Sequence, residues 1–303
     1  MKTRILIFVL MLTGAVGFAQ QDSQYTQYMY NTININPAYA GSRGAMSIFG
    51  LYRTQWVGLD GAPTTATASM NTPINNSNLG VGLSFVTDKI GPTTENTISA
   101  DVSYTVPVSE SSKLSFGIKG TGNFFKFDNN GLNPVDRTDS ALQNTSDFTP
   151  NIGAGVYLHS DKYYVGLSVP NFIQNKNEYD ANNIAIYTEK MNYYLIAGYV
   201  FDLNPNLKFK PAILAKAVEG APLQMDGSAS FMLYDKLVLG AAYRWDAAWS
   251  ALAGFQVTDA LYIGYGYDHE TTNLRNYNNG SHEIFLRFEL FNNYNKIISP
   301  RFF

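Results

Sequence analysis

His159 and Ser160 are adjacent, and an imidazole beside a hydroxyl is the raw material of a base and its nucleophile. Hydrolysis needs more: hydrogen-bond reach between the two, and a third group that orients the imidazole. A Tyr25-Thr26-Gln27 run lies far upstream, no Gly-x-His-x-Ser follows it, and the pair falls beside a short turn, so a hydrolase is the remotest reading. Asp268, His269 and Glu270 place oxygen and nitrogen donors in a row, and Asp136 and Asp139 form a second acidic pair. Either group suits a cation, but neither has calcium-loop spacing, and a solvated loop explains both. The Gly-x-Gly pairs fall at strand positions and form no phosphate loop. With no Cys there are no disulfides, thiolate metal sites, Cys nucleophiles or lipid-bearing Cys, and 3 dispersed His leave little for a metal site. The expectation is a protein that is not an enzyme, with no metal and no cofactor.

The elements that would position these residues alternate with a period of two. Ile98, Ala100, Val102, Tyr104 and Val106 alternate with Thr97, Ser99, Asp101, Ser103 and Thr105. Leu114, Phe116 and Ile118 alternate with Ser115, Gly117 and Lys119, and Ile284, Leu286, Phe288 and Leu290 with Glu283, Arg287 and Glu289. Leu223, Met225, Ala229, Phe231 and Leu233 oppose Gln224, Asp226, Ser228 and Ser230. Weaker alternation occupies 79–87, 148–159, 162–170, 191–201, 207–217, 236–246, 248–258 and 260–268, and the windows 45–57 and 63–73 are rougher. This predicts about 14 strands of roughly 9–13 residues, the length of a tilted membrane-crossing strand.

A soluble sandwich also alternates, but its strands are shorter and its polar face meets water. Here the polar face is Gly, Ser, Thr, Asn and scattered charge, a poor dry core because unpaired buried polar groups are costly. The arrangement makes sense if the apolar face meets lipid and the polar face lines a wet lumen. Closure is then obligatory, since an open edge in hydrocarbon leaves backbone groups unpaired. The predicted fold is therefore all-β: a transmembrane antiparallel up-and-down barrel over residues 45–291, with both termini periplasmic. Links near 74–78, 107–112, 159–161, 202–206, 234–236 and 258–260 are short, whereas 129–147, 171–190 and 269–281 are longer. Strict alternation of short and long links is expected, with the long ones outside. Tyr104, Tyr157, Tyr163, Tyr199, Tyr243, Trp245 and Trp249 at strand ends suit interfacial girdles.

Lys119, Lys208, Lys210, Lys216, Arg244 and Arg287 are expected inside, against Asp101, Asp226, Asp246, Glu283 and Glu289. With signs mixed, a conducting lumen would select weakly, and mutual pairing of these charges is the favoured reading.

Composition narrows the classes further. Hydrophobic residues make up 45% and aromatics 14%, so the chain is not disordered, while charged residues are 15% where about 25% is usual. The net charge of −3 without a Lys/Arg run excludes a nucleic-acid partner. Residues 1–19 read as a secretory signal peptide: Lys2 and Arg4, an apolar run, then small residues ending at Ala19. That run is too short to span a bilayer, and no other stretch approaches the length of a transmembrane helix. Residues 20–44 do not alternate and read as a periplasmic segment, and 292–303 as a periplasmic tail.

Those two segments carry a resemblance. Gln24-Tyr25-Thr26-Gln27-Tyr28-Met29-Tyr30-Asn31, then Asn34-Ile35-Asn36-Pro37-Ala38-Tyr39-Ala40-Gly41, and the closing Ile298-Ser299-Pro300-Arg301-Phe302-Phe303 resemble the PorP/SprF family of Bacteroidota type IX secretion and gliding systems. The resemblance implies an outer-membrane protein, in contact with outer-membrane lipid, that serves one secreted surface protein bearing a type IX C-terminal sorting domain, and that couples in some members to the periplasmic ring. An adhesin-like partner, and export, anchoring or gliding as the process, follow from the same resemblance. Physically, Pro37 fixes its own φ, biases Asn36 to an extended shape, and Gly41 permits φ > 0. The segment is expected to fold into the periplasmic mouth as a plug, with Tyr25, Tyr28, Tyr30 and Tyr39 wedged against lumen glycines. The loops 129–147, 171–190 and 269–281 would face the exported partner. A general or substrate-selective porin is the alternative, and it requires an unobstructed lumen.

Overall fold

The computed structural model describes residues 28–129, 144–174, 176–179, 184–188 and 190–290, the side chains of 176–179 and 184–188 excepted. The strands are β1 (Met46–Thr54), β2 (Thr64–Pro73), β3 (Leu79–Ile90), β4 (Thr93–Pro107), β5 (Ser112–Phe127), β6 (Thr145–Ser160), β7 (Tyr163–Val169), β8 (Lys176–Tyr179), β9 (Ile184–Thr188), β10 (Asn192–Tyr199), β11 (Phe201–Asn204), β12 (Leu207–Val218), β13 (Gln224–Leu233), β14 (Leu237–Arg244), β15 (Ala248–Gln256), β16 (Leu261–Glu270) and β17 (Ser281–Leu290). β10 and β11 are one stave interrupted at Val200, and β8–β9 is a separate hairpin. That leaves 14 staves in an antiparallel sheet. Neighbours in sequence pair with each other, β7 joins β10 across the hairpin, and β1 joins β17, so the sheet closes on itself. The closed antiparallel barrel of the sequence reading is thus the observed fold. No helix among the described residues is long and apolar enough to cross a membrane.

Large apolar side chains stand on the outer face. Ile48, Leu83, Ile98, Phe116, Ile152, Leu167, Leu239 and Ile284 are exposed, and Ile118 is 66% exposed. Their alternating neighbours Ser47, Ser84, Ser99, Ser115, Lys119, Asn151, Ser168 and Glu283 are buried. β1 reads roughly in sequence because Phe49 and Leu51 also face inward, giving it apolar residues on both sides. β2 reads roughly because Ala66 and Ala68 take much of its outer face.

The rim where β1 begins and β17 ends is called the near rim. All six links there are short, and the 234–236 turn uses consecutive left-handed residues, Tyr234 (φ 51°) and Asp235 (φ 54°), as tight hairpins require. The far rim departs from the expected strict alternation. It carries the long links 128–144 and 170–191 but also the tight Gly91-Pro92 turn and the short 245–247 link. The wall is uneven as well. β4, β5 and β6 have 15, 16 and 16 residues, against 10, 8 and 9 in β13, β14 and β15. A crossing strand needs about 9–11, so the β4–β6 wall stands taller at the far rim.

The girdle expectation needs one correction. Tyr104, Tyr199, Trp245 and Trp249 face outward, Tyr163 bonds the Ser112 hydroxyl at 2.9 Å, and Tyr243 lies against Trp249 at 4.2 Å between ring centroids. Tyr157 is 0% exposed and points into the barrel, because its odd position in β6 shares the inward parity of Asn151 and His159.

Candidate functional site: a filled lumen

Residues 28–44 occupy the near half of the lumen. A turn at Tyr28–Tyr30 leads to one helical turn, Thr32–Ile35, and then to a second tight turn at Pro37–Tyr39. Asn36 links the two. Its backbone is extended (φ −138°, ψ 108°), as the residue before a proline prefers, and its N–H returns to the Thr32 carbonyl at 2.9 Å. Its side-chain Oδ1 accepts from the Ala38 N–H at 3.0 Å, capping the turn that Pro37 starts, while Nδ2 donates to the Val156 carbonyl of β6 at 3.1 Å. One amide thereby folds the segment and ties it to the wall. Gly41 leaves the turn at φ +71°.

The segment packs on aromatic rings. Tyr30 stacks on Tyr262 at 5.5 Å with the two hydroxyls 3.0 Å apart, and meets Phe285 at 4.5 Å. Phe49 extends this group against Phe285 at 5.3 Å. Tyr39 meets Tyr157 edge-on at 5.6 Å, and Tyr157 leans on Tyr164 at 6.0 Å. Tyr28, Met29, Tyr30, Ile33, Ala38 and Tyr39 are all buried in one cluster with these wall residues. Each large apolar side chain buried this way stabilises by roughly 1.5–3 kcal/mol. The interior is therefore not a wet lumen throughout, as the alternation alone implied; its near half is a mixed core that the inserted segment completes.

Polar wall residues hold the segment's backbone. Ser168 Oγ donates to the Ile35 carbonyl at 2.7 Å, Ser103 Oγ to the Ala40 carbonyl at 2.7 Å, and Lys119 Nζ to the Ile33 carbonyl at 3.2 Å. Ser69 Oγ bonds Asn31 Oδ1 at 3.2 Å, and Asn71 Oδ1 accepts the Gly41 N–H at 3.3 Å. Two glycines make the close approach possible: a Cβ on Gly117 would overlap the backbone of Pro37 and Ala38, and one on Gly80 would overlap Ala40.

Most of the inward charges pair, and two lysines lie over rings. Asp101 meets Lys119 at 3.1 Å, and Asp226 takes Arg244 through Nε at 3.1 Å with Nη2 at 3.2 Å. Arg287 lies 3.7 Å from Glu289 and 5.1 Å over the Tyr262 ring, and Arg43 also bonds Glu289. Lys210 sits 5.5 Å over Tyr30, and Lys216 5.7 Å over Tyr194. Glu283 bonds Arg53 at 3.4 Å, and Arg53 also holds Asp268 at 2.8 Å. Arg53, which sequence reasoning passed over, is thus the centre of a buried triad; its inward parity in β1 was the available signal. Two residues sit elsewhere than expected. Lys208 stays at the near rim, bonding Asp235 of the turn at 2.6 Å, and Asp246 is an exposed turn residue at φ 53°.

The chemistry-bearing constellations come apart. Ser160 Oγ accepts the N–H groups of Lys162 and Tyr163 at 3.1 Å each, as a turn cap, while the His159 ring stacks on Tyr157 at 5.2 Å. Asp268 faces inward to Arg53, and Glu270 accepts from the Trp56 indole at 3.1 Å, so these two serve separate partners. Tyr25, Asp136, Asp139, Pro300, Arg301, Phe302 and Phe303, with the signal-peptide segment, lie outside the described residues.

Comparison with known proteins adds the following. The family model for the type IX secretion system membrane protein PorP/SprF matches residues 17–288. No curated protein matches the chain. Among solved structures, the chain is similar to the Acinetobacter baumannii outer membrane protein Omp33, at 12% identity and a TM-score of 0.48 over 81% of this chain and 98% of that one. It is also similar to the NanC porin, at 11% identity and a TM-score of 0.44 over 81% and 100%, and to the KdgM porin, at 8% and 0.41 over 81% and 99%.

Proposed function

Since the chain belongs to the PorP/SprF family of type IX secretion system membrane proteins, we propose that it is an occluded docking barrel of the outer membrane and not a pore. It serves one secreted, adhesin-like surface protein bearing a type IX C-terminal sorting domain, and helps that protein's export or anchoring. The family is one of secretion-system membrane components, not of enzymes. The observation that carries the reading is the inserted segment. Tyr28–Gly44 is packed and hydrogen-bonded to β2, β4, β5, β6 and β7, which narrows the near half of the lumen, with a cavity of about 320 Å³ between residues 40–44 and the near rim. A tethered segment also reaches its site at high effective concentration, which favours the filled state.

In this proposal the near rim, with its short turns, faces the periplasm and the ring of the machine. The far rim, with the tall β4–β6 wall and the long links, meets the exported partner. The test is deletion of the gene together with pull-down from solubilised outer membranes. We expect one surface protein to vanish from the cell surface and the same protein to co-purify with the barrel. An unchanged surface proteome, with steady single-channel current from the purified barrel, would instead establish a porin.

A further inference from the structure

We propose that the outer face of the barrel holds one glycerophospholipid, with an acyl chain in a groove along β10 and a phosphoethanolamine head on the Lys162–Asp202 ion pair at the near rim. Pro211 of β12 has no N–H to give its neighbour. The β10–β12 ladder stops at Gly198 and Ala212, and pairing resumes only at Phe201 and Phe209. Val200, inside this break, sends its N–H the other way, to the Lys162 carbonyl at 2.7 Å. An apolar cavity of about 420 Å³ opens there on the outer side of the wall. Its floor is Ala197, set between two longer register partners, Val165 of β7 and Ile213 of β12. Tyr163 and Tyr199, which pair where β7 begins and β10 ends, close it at the near rim.

Val165, Tyr199 and Ile213 are exposed, so the groove is reachable from the hydrocarbon around the barrel. Lipid tails are as apolar as these side chains, so no hydrophobic gain separates a tail in the groove from one in the bulk bilayer; dispersion contact with the floor and both walls does. The head decides which lipid. Lys162 and Asp202 lie 3.1 Å apart with both side chains well exposed, and Lys162 is within electrostatic reach of the Tyr199 phenol that lines the groove. A lipid phosphate accepts from the Lys162 ammonium while the ethanolamine ammonium donates to Asp202, both as charge-assisted bonds. A glycerol head satisfies Lys162 but brings its net negative charge against Asp202. A choline head has no N–H to donate. The inference rests on the outer face meeting lipid and not on the docking of a surface protein.

Native mass spectrometry of the full-length barrel in detergent, mixed with ethanolamine, choline and glycerol phospholipids of identical tails, tests the site. We expect one ethanolamine lipid to stay on each barrel at a collision energy that strips the other two. Ala197→Trp fills the groove from its floor and should weaken that retention at least about tenfold. Asp202→Asn leaves the groove intact and should cut the preference for ethanolamine over glycerol heads about tenfold. Heat-modifiable mobility on gels verifies that each variant is a folded barrel. Retention of no lipid, equal retention of the three heads, or variants that behave as the wild type would overturn the proposal, as would a barrel isolated as a dimer that Ala197→Trp splits.

Discussion

Arg53 is 1% exposed between Asp268 and Glu283, and the three residues come from three different staves, β1, β16 and β17, that meet where the barrel closes. Removing the guanidinium leaves two buried carboxylates facing each other. Arg53→Met is expected to cost about 3–5 kcal/mol, read as a lower urea midpoint of the barrel refolded in lipid. Asn36 serves two partners at once, so Asn36→Ala should lower the stability of the inserted segment by about 1–3 kcal/mol. Faster protease cleavage within 28–44, at unchanged barrel stability, is the measurement. Ser160→Ala and His159→Ala should leave docking of the surface protein intact, since both residues serve a turn and a stacking contact.

At the scale of elements, the two faces of a strand obey different solvents. Ile118 and Lys119 are neighbours in β5, one 66% exposed on the outer face and one buried against Asp101. Ile118→Arg should cost about 2–4 kcal/mol in lipid, the depth-dependent penalty for a cation facing hydrocarbon, whereas Thr121→Lys, on the lumen face of the same strand, should cost far less. Denaturant titration of both variants in the same vesicles gives the contrast. The parity of each strand was legible because a period of two survives any register. Tyr157 shows the limit: an aromatic near a strand end looks like a girdle residue until its parity is tied to Asn151 and His159.

For the whole molecule, the inserted segment decides whether the barrel conducts. Gly117→Leu places a side chain where Pro37 and Ala38 now lie, and deletion of 28–44 removes the segment altogether. Both should raise conductance in planar bilayers above that of the wild type, with the deletion the larger effect. A wild-type barrel that conducts as freely as the deletion would contradict the docking reading. The uneven wall is also a property of the whole. β4–β6 rise above β13–β15, so the partner face proposed here is one side of the rim rather than its full circle.

Alternation, the absence of long apolar helices and the placement of turn residues were enough to determine a closed antiparallel barrel, because lipid outside and backbone hydrogen bonding within the bilayer admit no other use of such strands. The run Asn36 to Gly41 was legible as a turn, whereas the helical turn at Thr32–Ile35 before it was not. Nor was what these residues touch. That Asn36 reaches Val156, that Arg53 joins Asp268 to Glu283, and that Tyr30 completes a ring cluster with Tyr262 and Phe285 depend on staves more than a hundred residues apart in sequence. Local pattern records which face a residue takes; only the closed sheet decides which residues share the space inside it, because shear and register set their heights.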